Sequence, residues 1–386
     1  MSRRLTSIDI LRGAVMVVMA LDHVRDFFHH GDFNPTDLSR TWPALFATRW
    51  ITHFCAPVFV FLAGAGAALS TSSLKSRAPL ARFLVTRGLW LILLELTFVR
   101  FAWSFNLDYQ FTTGGVLWAL GFSMIALAAL CWLPEAAVAV FGLVMIAGHN
   151  ALDGIAPERL GYLAPLWRIL HAGGEVEVTP GHVFEAFYPL IPWIGVMAAG
   201  YGLARWFFAD EARRMRRLAM AGSACIVLFT LLRGLNIYGD HVPWTPQKSP
   251  LYTVFSLINC EKYPPSLAYL LMTLGPALIA LALLEWCGVP GRFARAIEVY
   301  GRVPMFYYLL HLPLIHGLAV LANLARYGHV PAGLLGDWSQ PPPPGMGWNL
   351  PVVYAVWLSV VLALYPACRW FVELKRRRKE EWIRYL

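Results

Sequence analysis

Charged side chains are scarce in this chain: Asp, Glu, Lys and Arg make up 14% of its 386 residues, where a soluble globular domain carries about 25%. So little polar material cannot cover a globular surface in water, which excludes an ordinary cytosolic enzyme and a disordered tail protein. Cysteine is sparse and unpatterned. Cys55, Cys131, Cys225, Cys260, Cys287 and Cys368 form no CxxC pair and no metal-ligand spacing, which excludes a disulfide-rich secreted module. Most of them sit within apolar runs, as small packing residues do. The first apolar run lacks a small-residue cleavage site and carries Asp9, Arg12, Asp22 and His23, so it is expected to remain as a first transmembrane helix. No internal repeat and no second soluble domain stand out.

Apolar material is abundant instead, at 58% of residues and a mean hydropathy of +0.54. With about 20 residues per span, the apolar runs predict about ten transmembrane helices near 8–28, 50–70, 83–104, 114–133, 135–152, 183–208, 216–235, 265–286, 300–325 and 350–372. The expected fold class is therefore all-α, a polytopic integral membrane helix bundle treated as one domain over 1–386 with a basic tail at 373–386. With the N-terminus inside, about two thirds of the 32 Lys and Arg fall on cytoplasmic segments. They include Lys75, Arg77, Arg82, Arg87, the group Arg213, Arg214, Arg216 and Arg217, and the tail. Cytoplasmic loops attract basic residues in this way, so both termini are placed in the cytoplasm. The net charge of +9 is thereby a topology signal and no nucleic acid is expected as a partner. Membrane lipids are. The outer segments 29–49, 153–182, 236–264 and 326–349 are longer and richer in Trp, Pro and Asp, and Pro341–Pro344 reads as a stiff spacer.

Ionisable groups inside a membrane are costly unless paired and mark function by default. Arg12 and His23 lie 11 residues apart on the first helix, nearly on one face and separated by about 16 Å along its axis. Asp9 can pair with Arg12, while Asp22, Arg25 and Asp26 crowd around His23. A histidine beside carboxylates can be poised as a general base; a plain interfacial cluster ending a helix is the competing reading. His53, in Arg49-Trp50-Ile51-Thr52-His53, enters from the same outer side, with function and packing equally weighted. Glu95 could be a site residue, but the stronger expectation is that it neutralises an arginine such as Arg87 or Arg100, or one on another helix. Lys262 and Tyr263, in Lys262-Tyr263-Pro264-Pro265-Ser266, could hold an anionic or hydroxyl-rich group beside a positive helix N-terminus, or could simply punctuate a helix start. Tyr307 and His311 are i,i+4 neighbours, whereas His316 points elsewhere, so no two-histidine metal face is formed. Glu185, Tyr188, Pro189, Pro192 and Trp193 suggest a kinked sixth span. No metal and no redox cofactor are expected.

Together these stretches are specific. Ser7-Ile8-Asp9-Ile10-Leu11-Arg12-Gly13 through Ala20-Leu21-Asp22-His23-Val24-Arg25-Asp26-Phe27-Phe28 resembles the bacterial branch of the heparan-α-glucosaminide N-acetyltransferase-like membrane proteins. So do Pro192-Trp193-Ile194-Gly195-Val196-Met197, Lys262-Tyr263-Pro264-Pro265-Ser266-Leu267 with Leu274-Gly275-Pro276, and Gly301-Arg302-Val303-Pro304-Met305-Phe306-Tyr307. The resemblance runs from the first helix to the ninth. The wider transmembrane acyltransferase superfamily includes O-acyltransferases with an Arg, ten residues and a His in the first helix, the spacing of Arg12 and His23, and there the His is the proposed catalytic residue. The lysosomal branch has Asn at the position of His23 and its active His in the following loop, where this chain offers His29 and His30.

The resemblance implies a multi-pass protein of the bacterial inner (cytoplasmic) membrane. It would move an acyl group, most simply acetyl, from cytoplasmic acyl-CoA (acetyl-CoA) to a hydroxyl or amine of an extracytoplasmic, sugar-like acceptor. His23, oriented by Asp22, would act as the base, with His53 the second catalytic candidate. Arg12, Arg25, Lys262, Tyr263, Tyr307 and His311 would bind substrate. Two other readings stay open at this point: a transporter or flippase for a small polar or lipid-linked solute, and a non-catalytic scaffold. A homodimer is compatible with all three.

Overall fold

The computed structural model describes residues 5–29, 33–71, 76–288, 291–336, 345–378, 380 and 383; Pro341–Pro344, His30 and part of the basic tail lie outside them. It is mostly helical, at 74%. In chain order the elements are α1 (Thr6–Phe28), α2 (Pro43–Ile51), a 3-10 turn (Thr52–Phe54), α3 (Cys55–Thr71), α4 (Ala78–Leu94), a π turn (Glu95–Val99) and α5 (Arg100–Ser104). There follow β1 (Phe111–Thr113), α6 (Val116–Leu130), α7 (Glu135–Gly148), α8 (Ala164–Trp167), β2 (Gly174–Thr179), β3 (His182–Ala186), α9 (Leu190–Gly202) and α10 (Glu211–Gly234). The last are α11 (Pro250–Ile258), α12 (Leu267–Trp286), α13 (Arg292–Arg302), α14 (Pro304–Tyr327) and α15 (Leu350–Arg377).

Among the described residues, six helical stretches are long and apolar enough to cross a membrane: Pro43–Leu69, Glu135–Leu152, Glu211–Gly234, Leu267–Trp286, Pro304–Tyr327 and Leu350–Arg377. The chain is therefore a multi-pass membrane protein. The expectation of ten such helices is met in part. α1 is long enough at 23 residues, but Asp9, Arg12, Asp22, Arg25 and Asp26 dilute its apolar content. α6 has 15 residues, and α9 has 13.

The sixth expected span, 183–208, is corrected most. Its first residues form β3, which pairs antiparallel with β2 and parallel with β1 in a three-stranded sheet ordered β1-β3-β2. The all-α expectation missed this sheet because 153–182 reads as one polar loop. The strand signal is nevertheless present: Glu175-Val176-Glu177-Val178 alternates with period two, and Pro180-Gly181 makes the turn, with Gly181 at φ +78°, a backbone region that glycine enters without strain. Pro189 is the residue that precedes α9 and kinks nothing.

The chain divides into two compact units, one of Ala56–Thr97 with Tyr109–Gly288 and one of Leu5–Cys55, Phe98–Asp108 and Val289–Leu386. In the first, helices pack in pairs: α4 with α6, α7 with α9, α10 with α12. Each pair closes over small residues, Gly88 against Gly121, Gly142 against Gly195 and Ala199, and Gly222 against Gly275. Such residues let backbones approach where lipid supplies no hydrophobic drive for association. Arg214 at the start of α10 pairs with Glu285 at the end of α12, so these helices run antiparallel. In the second unit α1 is the centre, packed by α13, α14 and α15. Met16, Ala20 and Val24 are almost wholly buried there. Two side chains also donate to its backbone, Cys55 Sγ to the Val15 carbonyl at 3.3 Å and Trp357 Nε1 to the Val17 carbonyl at 2.8 Å.

None of the six cysteines forms a disulfide; Cys55, Cys131, Cys260 and Cys368 are buried and Cys287 is exposed. Burial pushes the Cys260 thiol well above its usual range, which makes it an inert packing group.

Candidate active site

The predicted site residues divide between the units. Arg12, Asp22, His23, Arg25, His53, Tyr307 and His311 belong to the second, Lys262 and Tyr263 to the first.

In the second unit α1 and α14 bring His23 and His311 together, with His23 Nδ1 2.8 Å from His311 Nε2. The rings lie nearly parallel, 4.9 Å between centroids. His311 is wholly buried and His23 half-buried. The second ring nitrogen of His311, Nδ1, lies 3.0 Å from the Tyr307 carbonyl one turn back. A carbonyl oxygen only accepts, so the neutral imidazole of His311 carries its proton on Nδ1 and presents a lone pair at Nε2. His23 must then donate from Nδ1. Its own lone pair is left on Nε2, on the more accessible of the two rings. This relay fixes the tautomer of His23 and puts its basic nitrogen at Nε2.

Aromatic rings set the orientation. Trp103 meets His23 edge-on at 5.1 Å and 73°, and Tyr308 does so at 6.4 Å and 77°. Tyr307 stacks parallel to His311 at 5.1 Å, as its i,i+4 spacing requires. The Tyr307 hydroxyl is buried with no hydrogen-bond partner among the described residues. His316 faces away: its two nitrogens lie 2.8 Å from the Ala102 carbonyl and 2.6 Å from the Leu334 carbonyl. Phe27 and Phe105 stack on its two faces.

Asp22 is the residue expected to orient His23. Its carboxylate bridges two guanidinium groups, Arg25 at 2.8 Å and Arg49 at 2.5 Å, while His311 holds His23. Successive helical residues point about 100° apart, so Asp22 and His23 leave α1 on different sides. Arg25, expected to bind substrate, is buried between Asp22 and Asp26, the latter 2.5 Å away. It is a neutralised structural cation. Arg12 donates to the Gly301 carbonyl at the end of α13 at 3.0 Å and to Asp9 at 3.3 Å, a cation on the negative end of a helix. His53 is buried in the 3-10 turn, which packs against α1. His29 joins Trp348 in an isolated parallel bridge.

In the first unit the anion site expected at the start of α12 is filled by the protein. Ser266 Oγ accepts from the Tyr269 amide at 3.0 Å, Asn150 Oδ1 from the Leu267 amide at 2.8 Å, and the Gly239 carbonyl from the Ala268 amide at 2.8 Å. The donors that a helix start leaves open are thus taken. Lys262 is buried with its ammonium 4.9 Å from the Tyr263 ring centre, and Tyr263 stacks on Phe187 at 4.0 Å.

Glu95 is likewise corrected. It accepts from the Leu117 amide at 2.8 Å, capping α6, and Arg100 pairs instead with Asp108 at 3.0 Å. A carboxylate is stabilised at a helix N-terminus by its open donors and dipole. Gly115, just before α6, leaves room for it, since a Cβ there would strike the carboxylate.

A multi-pass helical membrane protein with a paired-histidine site is the class these features define. A family model for the catalytic part of heparan-alpha-glucosaminide N-acetyltransferase matches residues 4–243, more than half of the chain, and the chain belongs to that family. No curated protein matches the chain.

Proposed function

We propose that the protein is a membrane-embedded acyltransferase that moves an acyl group, most simply acetyl, from cytoplasmic acyl-CoA to a hydroxyl or amine of an extracytoplasmic sugar-like acceptor, in a bacterial inner membrane. The observation that carries this reading is the His311–His23 relay, which leaves a lone pair on His23 Nε2. The family supports acetyl transfer and an acetyl-CoA donor.

In the reaction, the acceptor's nitrogen or oxygen bonds to the thioester carbon as His23 Nε2 takes its proton. The carbon–sulfur bond then breaks, and the proton passes to the departing sulfur to give the CoA thiol. General-base help of this kind contributes about 10²–10⁴-fold to a rate. His311 positions His23 and touches no reacting atom. Arg12 lies on the His23 stripe of α1, about 16 Å away along the helix axis, on the side proposed to receive the donor. Cytoplasmic cations such as Arg292, Arg295 and Arg302 would hold the CoA phosphates, as Arg and Lys do elsewhere.

The orientation has support in the first unit. One end of that unit gathers the start of α10, with Arg213, Arg214, Arg216 and Arg217, and the end of α12. The basic end is placed in the cytoplasm.

The test uses the purified full chain in detergent. Acetyl-CoA is expected to raise the melting temperature saturably, and His23→Ala to lose transfer by at least about 10²-fold while keeping that thermal shift. Wild-type turnover in His23→Ala would overturn the assignment of the base. No shift with any acyl-CoA in a folded preparation would overturn the donor.

A further inference from the structure

Outside the histidine relay, the first unit holds a second cluster that the sequence reading passed over. His149 follows α7 directly, Asp153 comes four residues later, and His171 lies in the π turn Arg168–Ala172. One donor atom from each lies within 4.8 Å of the other two. His149 and His171 are both 2% exposed. Both nitrogens of His149 and Nδ1 of His171 have no hydrogen-bond partner among the described residues. Asp153 Oδ1 is 3.3 Å from His171 Nε2, with its side chain 21% exposed.

A hydrogen-bonded His–Asp pair would account for His171 Nε2 and leave His149 unexplained. An orphaned buried polar atom forfeits its hydration with nothing in return, and native proteins leave few of them. A cation explains all three residues at once.

We propose that His149, Asp153 and His171 form a divalent-metal site, matched best to zinc. Two imidazoles and a carboxylate are zinc donors, and bonds of about 2.0–2.2 Å in a tetrahedron put neighbouring donor atoms about 3.3 Å apart. The His171–Asp153 pair already has that separation. His149 closes by a side-chain shift of about 1.5 Å, judged from the same tetrahedron. Three protein donors leave the fourth position to water. The carboxylate is held from behind, since Asn150 Nδ2 donates to Asp153 Oδ2 at 2.9 Å. Outer partners of this kind orient metal ligands. Asn150 Oδ1 also accepts from the Leu267 amide, so the ion would clamp the segment after α7 to the start of α12. The earlier expectation of no metal rested on the cysteines and on His311 and His316, and a His-x3-Asp pair with its third member 18 residues on carries no familiar spacing.

The full, tag-free chain in detergent is stripped with chelator and titrated with Co²⁺, then Zn²⁺ as competitor, with bound metal measured by mass spectrometry. Expected are the visible spectrum of tetrahedral cobalt, its displacement by about one zinc per chain, and a fall in melting temperature on stripping. His149→Gln and His171→Gln should weaken binding at least 10-fold, Asn150→Ala about 10–100-fold, and His182→Ala, on β3, not at all. A folded wild-type chain with no cobalt spectrum and no stoichiometric zinc overturns the site, as does unchanged binding in His149→Gln. The wild-type titration depends on no variant, so misfolding of a substituted chain does not blunt the test.

Discussion

The Tyr307 carbonyl can only accept, and that constraint passes through two rings to the His23 nitrogen proposed as the base. Removing His311 frees His23 to hold its proton on either nitrogen, so part of the population loses its base. His311→Ala is expected to lower kcat about 10–100-fold, which is about 1.4–2.7 kcal/mol, with little change in KM for acetyl-CoA. Because the two rings act as one unit, His23→Ala/His311→Ala should be no worse than His23→Ala alone, a non-additivity that separates positioning from general destabilisation. Additive losses would place His311 outside the relay. Of this site, His23 was legible from its spacing to Arg12 and from the family resemblance. The contact to His311 was not, because 288 positions separate them and no local rule links them. Nor were the two arginines that hold the Asp22 carboxylate both legible: Arg25 is one turn away, but Arg49 lies 27 positions on.

Between elements, the crossing of α1 and α13 fixes where Arg12 and the start of the His23 helix lie. Gly13 sits against the Ile297 carbonyl and Gly301 against the Asp9 carbonyl, and a Cβ at either would overlap backbone. Gly301→Ala should therefore destabilise the protein by about 1–3 kcal/mol, as overpacking does, lowering its melting temperature in detergent. Gly66→Ala, where a Cβ would meet nothing within 4 Å, is the matched control and should be neutral. Equal melting temperatures for the two variants would mean that the crossing is not close-packed. Helix existence was readable at this scale, since nearly every expected span has a helical counterpart. Helix ends were less so. The π turn at Glu95 begins where an apolar run still continues, and the strand at His182–Ala186 takes the first residues of an expected span, where pairing with β1 and β2 decides the outcome.

Across the whole molecule, α12 has 20 residues and is about 30 Å long, the thickness of a bilayer core. Its ends thus lie at opposite faces. Ser266 and the sheet-bearing segment are proposed to lie outside, and Cys287, exposed just past the other end, inside. A membrane-impermeant maleimide is expected to modify Cys287 only after permeabilisation, while Glu175→Cys on β2 is modified in intact cells. Labelling of Cys287 from outside would invert the proposed orientation.

Low charge and long apolar runs determined by themselves that this chain is a helical membrane protein, because each helix must satisfy its own backbone before it can sit in lipid. The partners of its buried polar groups were decided only by tertiary structure. His23 and His311, Glu95 and the start of α6, and His149 with Asp153 and His171 each join helices or loops that meet only when the bundle packs. A polar group buried in apolar surroundings takes whichever complementary group the packing brings within reach, and sequence distance sets no limit on which one that is.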